Sequence, residues 1–253
     1  MNIDGTHAIV SGGASGLGEA TVRALHDRGA HVLIADLQED KGQALASELG
    51  ERATYHKTDV TDEEQVKAAV EAAGENLRIS VACAGIGWAQ RVVHRKHGAH
   101  GLQPFETVVR VNLIGTFNLL RLAGEKIAQA EPREDGERGV HLQTASVAAF
   151  EGQIGQIAYS ASKGGVVGMT VPAARDLAVL GIRVCTIAPG LFDTPLMGAL
   201  PEENRRSLGE SVPFPQRLGD PSEYANLAVH IVENRMLNGE TIRLDGAIRM
   251  APQ

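Results

Sequence analysis

Seven short runs of aliphatic and β-branched residues recur along the chain, separated by stretches long enough for helices. The runs cover residues 7–11, 31–35, 54–57, 79–83, 140–144, 184–188 and 241–244. Their apolar residues are mostly consecutive rather than alternating, as expected for strands covered on both faces. Residues 17–28 and 63–73 have helical spacing and stop at Gly29 and Gly74, where glycine accepts the left-handed conformation that closes a helix. Repeated strand–helix units predict a parallel sheet joined by right-handed crossovers, an α/β fold. The 253 residues show no internal repeat and no linker, so one domain over 1–253 is expected.

Bulk properties remove several classes of function. A formal net charge of −7 gives nucleic-acid binding no electrostatic support. Cys83 and Cys185 lie inside apolar runs and read as core thiols in a reducing compartment, with neither a disulfide framework nor a metal site. No apolar run approaches the roughly 20 residues that cross a bilayer. The first strand begins almost at once, with no cationic and apolar leader before it, so the expected location is the cytoplasm. The stretch 131–139, charged and broken by proline and glycine, reads as a solvated surface loop.

The first strand runs into Ser11-Gly12-Gly13-Ala14-Ser15-Gly16-Leu17-Gly18 and then a helix. A tight glycine turn lets backbone N–H groups approach a pyrophosphate, and the helix N-terminus adds a favourable dipole. Taken alone, such a turn also serves purely structural strand–helix corners. Asp36 ends the second strand about 20 residues further on, where a carboxylate can bind the adenosine ribose hydroxyls. Leu37 and Gln38 follow it, so no cation stands ready for a 2′-phosphate, and the expected cofactor is NAD rather than NADP. Asp36 can equally act as a helix N-cap, and the two roles are compatible. Asp59 and Val60, after the third strand, can hold the adenine edge, although Asp59 also fits a plain helix-start acid.

Tyr159-Ser160-Ala161-Ser162-Lys163 carries the chemistry. Residues four apart share a helix face, so Tyr159 and Lys163 point the same way. An ammonium beside a phenol, together with the positive charge of oxidised nicotinamide, favours the phenolate and predicts a base poised nearer neutrality than the usual value near 10. Ser146, at the end of the fifth main strand, can hydrogen-bond a substrate oxygen. An isolated Tyr-x-x-x-Lys is usually an idle surface pair. Here it coincides with a glycine turn and a ribose acid, and together they point to a dehydrogenase.

These residues resemble the short-chain dehydrogenase/reductase family over essentially the whole chain. The resemblance implies a doubly wound Rossmann domain with a seven-stranded parallel sheet and helices on both faces. It implies Ser146, Tyr159 and Lys163 as catalytic residues, with Asn112 as a fourth that supports a water-linked proton path from Lys163. It places Cys83, Ala84 and Gly85 along the cofactor, and Pro189, Gly190, Leu191, Phe192 and Thr194 at its nicotinamide end. The segments 144–153, 187–192, 213–215, 217–221 and 238–250 are similar to one branch of the family. That branch is homotetrameric, uses NAD, and acts on short or branched 3-hydroxyacyl-CoA thioesters and some hydroxysteroids. Gln156 matches a position associated there with substrate orientation. Two departures stand out: Ala82 replaces the first asparagine of the family's Asn-Asn-Ala-Gly stretch, and Gln143 stands where the branch usually has asparagine.

Two substrate loops are expected, near 86–104 and 190–215. The first contains no Asp or Glu but carries Arg91, Arg95, Lys96 and three histidines. A cationic loop on an acidic protein suits an anionic ligand such as the phosphates of CoA, although an ordinary solvated loop would look the same. No carboxylate or thiolate accompanies the histidines, so no metal is expected. In the second, Leu191, Phe192, Leu196, Met197 and Phe214 make either an apolar lid over an acyl chain or a satellite of the core. The expected activity is reversible oxidation of a 3-hydroxyacyl-CoA with NAD. The alternatives are a hydroxysteroid or other secondary alcohol as substrate, or a non-catalytic NAD(H)-binding scaffold.

Overall fold

The computed structural model describes residues 1–133, 135–198 and 201–252. Its large sheet contains β1 (His7–Ser11), β2 (His31–Asp36), β3 (Ala53–Lys57), β4 (Leu77–Ala82), β7 (Gly139–Thr144), β8 (Ile182–Pro189) and β9 (Thr241–Leu244). A separate small hairpin pairs β5 (Val93–His94) with β6 (Gly98–Ala99). The seven strands are all parallel, in the order β3-β2-β1-β4-β7-β8-β9. The chain winds outward from β1 in one direction and from β4 in the other. The crevice at that reversal, beyond the carboxyl ends of the strands, is where such folds bind ligands.

Alternate strand residues face different helical layers. Ala8, Val10, Val32 and Ile34 pack with α1 (Gly16–Asp27) and α9 (Pro221–Glu233). Ile9, Leu33 and Ala35 pack with α3 (Glu63–Ala72) and α5 (Gly115–Ala128). Both sheet faces are therefore covered, which explains why the strand sequences are continuously apolar. Between them the chain also forms α2 (Glu39–Leu49), α4 (Leu102–Val109), α6 (Ile157–Ala178), α7 (Pro195–Gly198) and α8 (Glu202–Glu210). Gly29 and Gly74 adopt positive φ just beyond α1 and α3, as the sequence predicts.

All seven expected strands are present, but β4 and β8 begin two residues early because buried arginines extend them. Arg78 donates from Nη1 to the carbonyls of Glu131 and Arg138 at 2.7 and 3.2 Å. Arg183 donates to Glu137 at 2.9 Å and to the carbonyls of Ile231, Val232 and Leu237 at 2.8–2.9 Å. Charged residues look like strand ends in a sequence, yet here every guanidinium has partners that offset its desolvation. The same contact corrects the reading of 131–139 as wholly solvated: Glu137 is buried against Arg183.

Between α4 and α5 the helix widens into a single π-helical turn, Arg110–Ile114. Such turns re-aim side chains and recur at functional sites. This one turns Asn112 fully inward.

Candidate active site

A cavity of about 580 Å³ opens at the carboxyl edge of the sheet. The glycine turn forms one wall. A Cβ on Gly12 would lie 2.7 Å from the Ala84 nitrogen, and one on Gly18 only 2.0 Å from the Gly12 oxygen. Side chains are thus excluded where β1, the turn and β4 meet, and the backbone is left bare to the cavity. Ser15, the residue before α1, makes no capping hydrogen bond with its hydroxyl. The N-terminus of α1, with its unpaired N–H groups and positive dipole end, faces the same space through Gly16, Leu17 and Gly18.

Asp36 is buried, and its two oxygens accept from the Ala14 and Gln38 nitrogens at 3.0 and 2.9 Å. The carboxylate ties the turn to the end of β2 while still lining the cavity beside Leu37. Asp59 accepts from the Thr61 backbone and hydroxyl, both at 2.8 Å, and holds the loop that presents Val60. Both acids are therefore structural turn-formers as well as cavity residues. Cys83, Ala84 and Gly85 line the opposite wall, and Pro189 and Thr194 the far end.

Tyr159 and Lys163 stand on one face of α6 and both reach the cavity, with Lys163 Nζ 5.7 Å from the tyrosine ring centre. Lys163 Nζ donates to the Thr144 carbonyl at 2.7 Å. Burial lowers its pKa to about 8. A Cβ built on Gly85 would lie 3.5 Å from this nitrogen and 3.2 Å from Asn112 Oδ1, so the glycine leaves room where the two polar groups converge. The Asn112 amide accepts from the Ile86 nitrogen at 2.8 Å, and donates to the Ile86 carbonyl at 3.0 Å and to Ser162 Oγ at 3.1 Å. It knots the strand β4 exit to α6. Ser146 Oγ accepts from the Ala148 nitrogen at 3.1 Å, at the start of the one-turn 3-10 helix Val147–Ala149.

The expected lowering of the tyrosine pKa is reversed in the protein by itself. Burial raises the Tyr159 phenol above its ordinary value, and the nearby Ser146 hydroxyl offsets only part of this. Lys163, held near 8, carries its full charge only below that pH, which limits its pull on the phenol.

Other expected site residues lie elsewhere. Ser11 is buried within β1. Gly190 follows the last residue of β8, and a Cβ built on it would lie 2.9 Å from Asp245, leaving no space for a side chain. Leu191 and Phe192 line a separate cavity of about 120 Å³ with Val212, Pro215 and Gly246. Phe192 belongs to the core cluster that includes Tyr224, which favours the core alternative for this part of the second loop. Gln156, before α6, accepts from the Gln153 nitrogen at 3.0 Å. Leu196 falls in α7, and its side chain lies outside the described residues. Arg91, Arg95 and Lys96 are exposed around the β5–β6 hairpin, which is anchored by Gln90 N donating to the Gly155 carbonyl at 2.9 Å. Among the described residues no group of metal-binding side chains occurs.

The cavity also takes in Thr58, Ile86, Thr107, Arg110 and Thr144, which sequence patterns did not single out. Thr58 and Ile86 adjoin named residues and were open to discovery by adjacency. Thr107 and Arg110 arrive only because α4 and the π-helical turn fold over the sheet edge.

With this geometry in place, the comparisons with known proteins are decisive at the family level. Residues 6–205 match the short chain dehydrogenase family model, and the chain belongs to that family. It is 54% identical over 255 residues to the 3-hydroxyacyl-CoA dehydrogenase type-2 of Homo sapiens, covering 99% of this chain and 98% of that one. The Drosophila melanogaster protein of the same name is 53% identical over 249 residues, 97% and 98% of the two chains. A crystal structure of 3-hydroxyacyl-CoA dehydrogenase type-2 from Mycobacterium avium superposes with a TM-score of 0.95 at 51% identity, covering 98% of each chain.

Proposed function

We propose that the chain, working as one domain, interconverts a 3-hydroxyacyl-CoA and the 3-ketoacyl-CoA with NAD. The observation that carries this is the meeting of Tyr159 and Lys163 on the wall of a cavity whose other wall is a bare glycine turn. A dinucleotide fits these residues: the turn leaves no room for side chains, Ser15 has an uncommitted hydroxyl, and the helix dipole favours a pyrophosphate. Asp36 and Leu37 favour a free ribose hydroxyl over a phosphate, hence NAD. Asp59 and Val60 would take the adenine end, and Pro189 and Thr194 the nicotinamide end.

The bound dinucleotide supplies the two-electron redox chemistry. The protein supplies orientation and proton handling. Tyr159 takes the hydroxyl proton on oxidation and returns it on reduction. Ser146 holds the substrate oxygen. Lys163 would hold the nicotinamide ribose and stabilise the phenolate. Asn112 keeps the loop after β4 in register with α6 and would support a water-linked proton path from Lys163. The positive charge of oxidised nicotinamide would act against the burial that raises the phenol. Gln156 and the cations Arg91, Arg95 and Lys96 are assigned to the acyl-CoA, together with Leu196. Assembly as a homotetramer is part of the proposal: Ile114, Phe117 and Val171 are 42–48% exposed on the π-helical turn, α5 and α6, apolar surface that a second copy would cover. The two free thiols suit a reducing compartment such as the cytoplasm, and the thioester chemistry suits fatty-acid breakdown. No helix among the described residues is long and apolar enough to cross a membrane.

The test is a panel of acetoacetyl-CoA, its free acid and a hydroxysteroid, each with the reduced forms of both dinucleotides or, for the steroid, the oxidised forms. The thioester with NADH should dominate. Tyr159→Phe should reduce turnover on the order of 10²–10⁴-fold while leaving NADH binding nearly unchanged. Near-normal turnover by that variant would sink the mechanism, and equal rates on thioester and free acid would sink the substrate.

A further inference from the structure

Behind the cavity floor lies a directed chain of hydrogen bonds that passes through Thr144, the residue whose carbonyl holds Lys163. Thr144 Oγ1 lies 2.6 Å from the Ala82 carbonyl, which can only accept, so the threonine hydroxyl spends its one proton there. Tyr224 OH lies 2.7 Å from the same Oγ1. The tyrosine must therefore be the donor and must stay protonated. Its oxygen in turn is 3.7 Å from Cys83 Sγ, within reach of a weak thiol hydrogen bond. The chain reads Tyr224 O–H to Thr144 O–H to the Ala82 carbonyl, with the Cys83 sulfur beside both hydroxyls at 3.7 and 3.5 Å, and it bridges α9, β7 and β4. Tyr224 is fully buried, and burial pushes its phenol well above the ordinary value, in accord with a permanent donor.

Thr144 is the last residue of β7, and its carbonyl is the acceptor for Lys163 Nζ at 2.7 Å. Its side chain and its carbonyl are fastened on opposite sides, so whatever fixes the hydroxyl also fixes the carbonyl. We propose that Tyr224, acting through Thr144, is a positioning residue for the Lys163 ammonium. This rests on the reading of the cavity given above. The titratable groups that face Lys163 are Tyr159 on its own helix and Cys83 at the exit of β4, with Tyr224 of α9 one step behind them through Thr144. Among the described residues no carboxylate forms an ion pair with it. Hydrogen bonds to neutral groups therefore decide how well the buried charge is held.

Tyr224→Phe keeps the ring and removes one donor. A loosened carbonyl supports the ammonium less well, which lowers the Lys163 pKa and, through it, raises that of Tyr159. In alcohol oxidation the rising limb of kcat/KM against pH should move to higher pH, with a loss of about three- to tenfold near neutrality, the worth of one ordinary hydrogen bond. Lysine-selective NMR of the dinucleotide-free protein should show Lys163 titrating lower than in the parent. Thr144→Val should reproduce both shifts, and Thr144→Ser should restore the parent values, which keeps the test open if Tyr224→Phe folds poorly. Val229→Ala, a buried change on the same helix, should cost stability without moving either readout. Parent-like Lys163 titration in both Tyr224→Phe and Thr144→Val would overturn the proposal. That readout needs no turnover, so it is separable from failure of Tyr159→Phe, which would overturn the enzymatic reading instead.

Discussion

Lys163 and Asn112, at the floor of the cavity, are buried and have partners inside the fold, whereas Arg91, Arg95 and Lys96, at the 86–104 loop, stand in solvent with no ion pair among the described residues. The floor residues come from α6 and from a π-helical turn, rigid elements packed on the sheet. The loop residues hang on a two-by-two-residue hairpin tied down through Gln90 and Gly155. The contrast separates two tasks. Under the proposed function, proton transfer tolerates little displacement and would be built on the sheet edge, while selection of a large charged ligand tolerates movement and would rest on additive, screenable charges.

The largest effect that sharpens this contrast is Lys163→Met. Removing a buried ammonium beside the phenol should lower kcat/KM on the order of 10²–10⁴-fold. A loss under tenfold would place the lysine among the merely supportive groups and erase the distinction. Next comes the buried support under the floor. His141 on β7 is shut away from water, with Nδ1 3.0 Å from Ser80 Oγ, and burial lowers its pKa to about 3. Its folded pKa is below the unfolded value of 6.5, so this group adds no pH dependence to stability above about pH 6.5. As pH falls below 6.5, the unfolded chain gains a proton that the native state refuses. Stability should fall by about 1.4 kcal/mol for each pH unit from this group until its folded pKa is reached. Urea midpoints measured between pH 7 and 4.5 check this, and His141→Leu should flatten the slope. The smallest effect belongs to the loop. Converting Arg91, Arg95 and Lys96 together to Gln should raise KM for the CoA thioester about tenfold at low salt, with little change in kcat or in thermal midpoint. High salt should bring the parent and the triple variant together. A change in kcat as large as that in KM would show that the loop takes part in the chemistry.

Much of this architecture was legible in the sequence, because its signals are local. Seven apolar runs, the glycine turn and the Tyr-x-x-x-Lys spacing each depend on residues within a few positions of one another. Where the reading went wrong, the missing information was distant in sequence. Arg78 and Arg183 looked like strand boundaries because their partners, at 131–138 and 231–237, are supplied by other segments. Leu191 and Phe192 lie between Pro189 and Thr194, which line the large cavity, yet β8 ends and the backbone turns, so they face a different cavity. Spacing likewise revealed the ammonium beside the phenol but not how deeply both groups are buried, which raises the phenol in the protein by itself.

By itself, then, the order of residues determined the sheet, the strand–helix alternation and the glycine turn and Tyr-x-x-x-Lys pair that the proposed function uses, since periodicity and turn chemistry act over short range. Tertiary structure alone decided which of those groups share one cavity, how far burial shifts them, and that Tyr224, on a helix 80 residues beyond Thr144, reaches its hydroxyl. Desolvation and hydrogen-bond partnership are properties of three-dimensional neighbours, and no local pattern of amino acids specifies them.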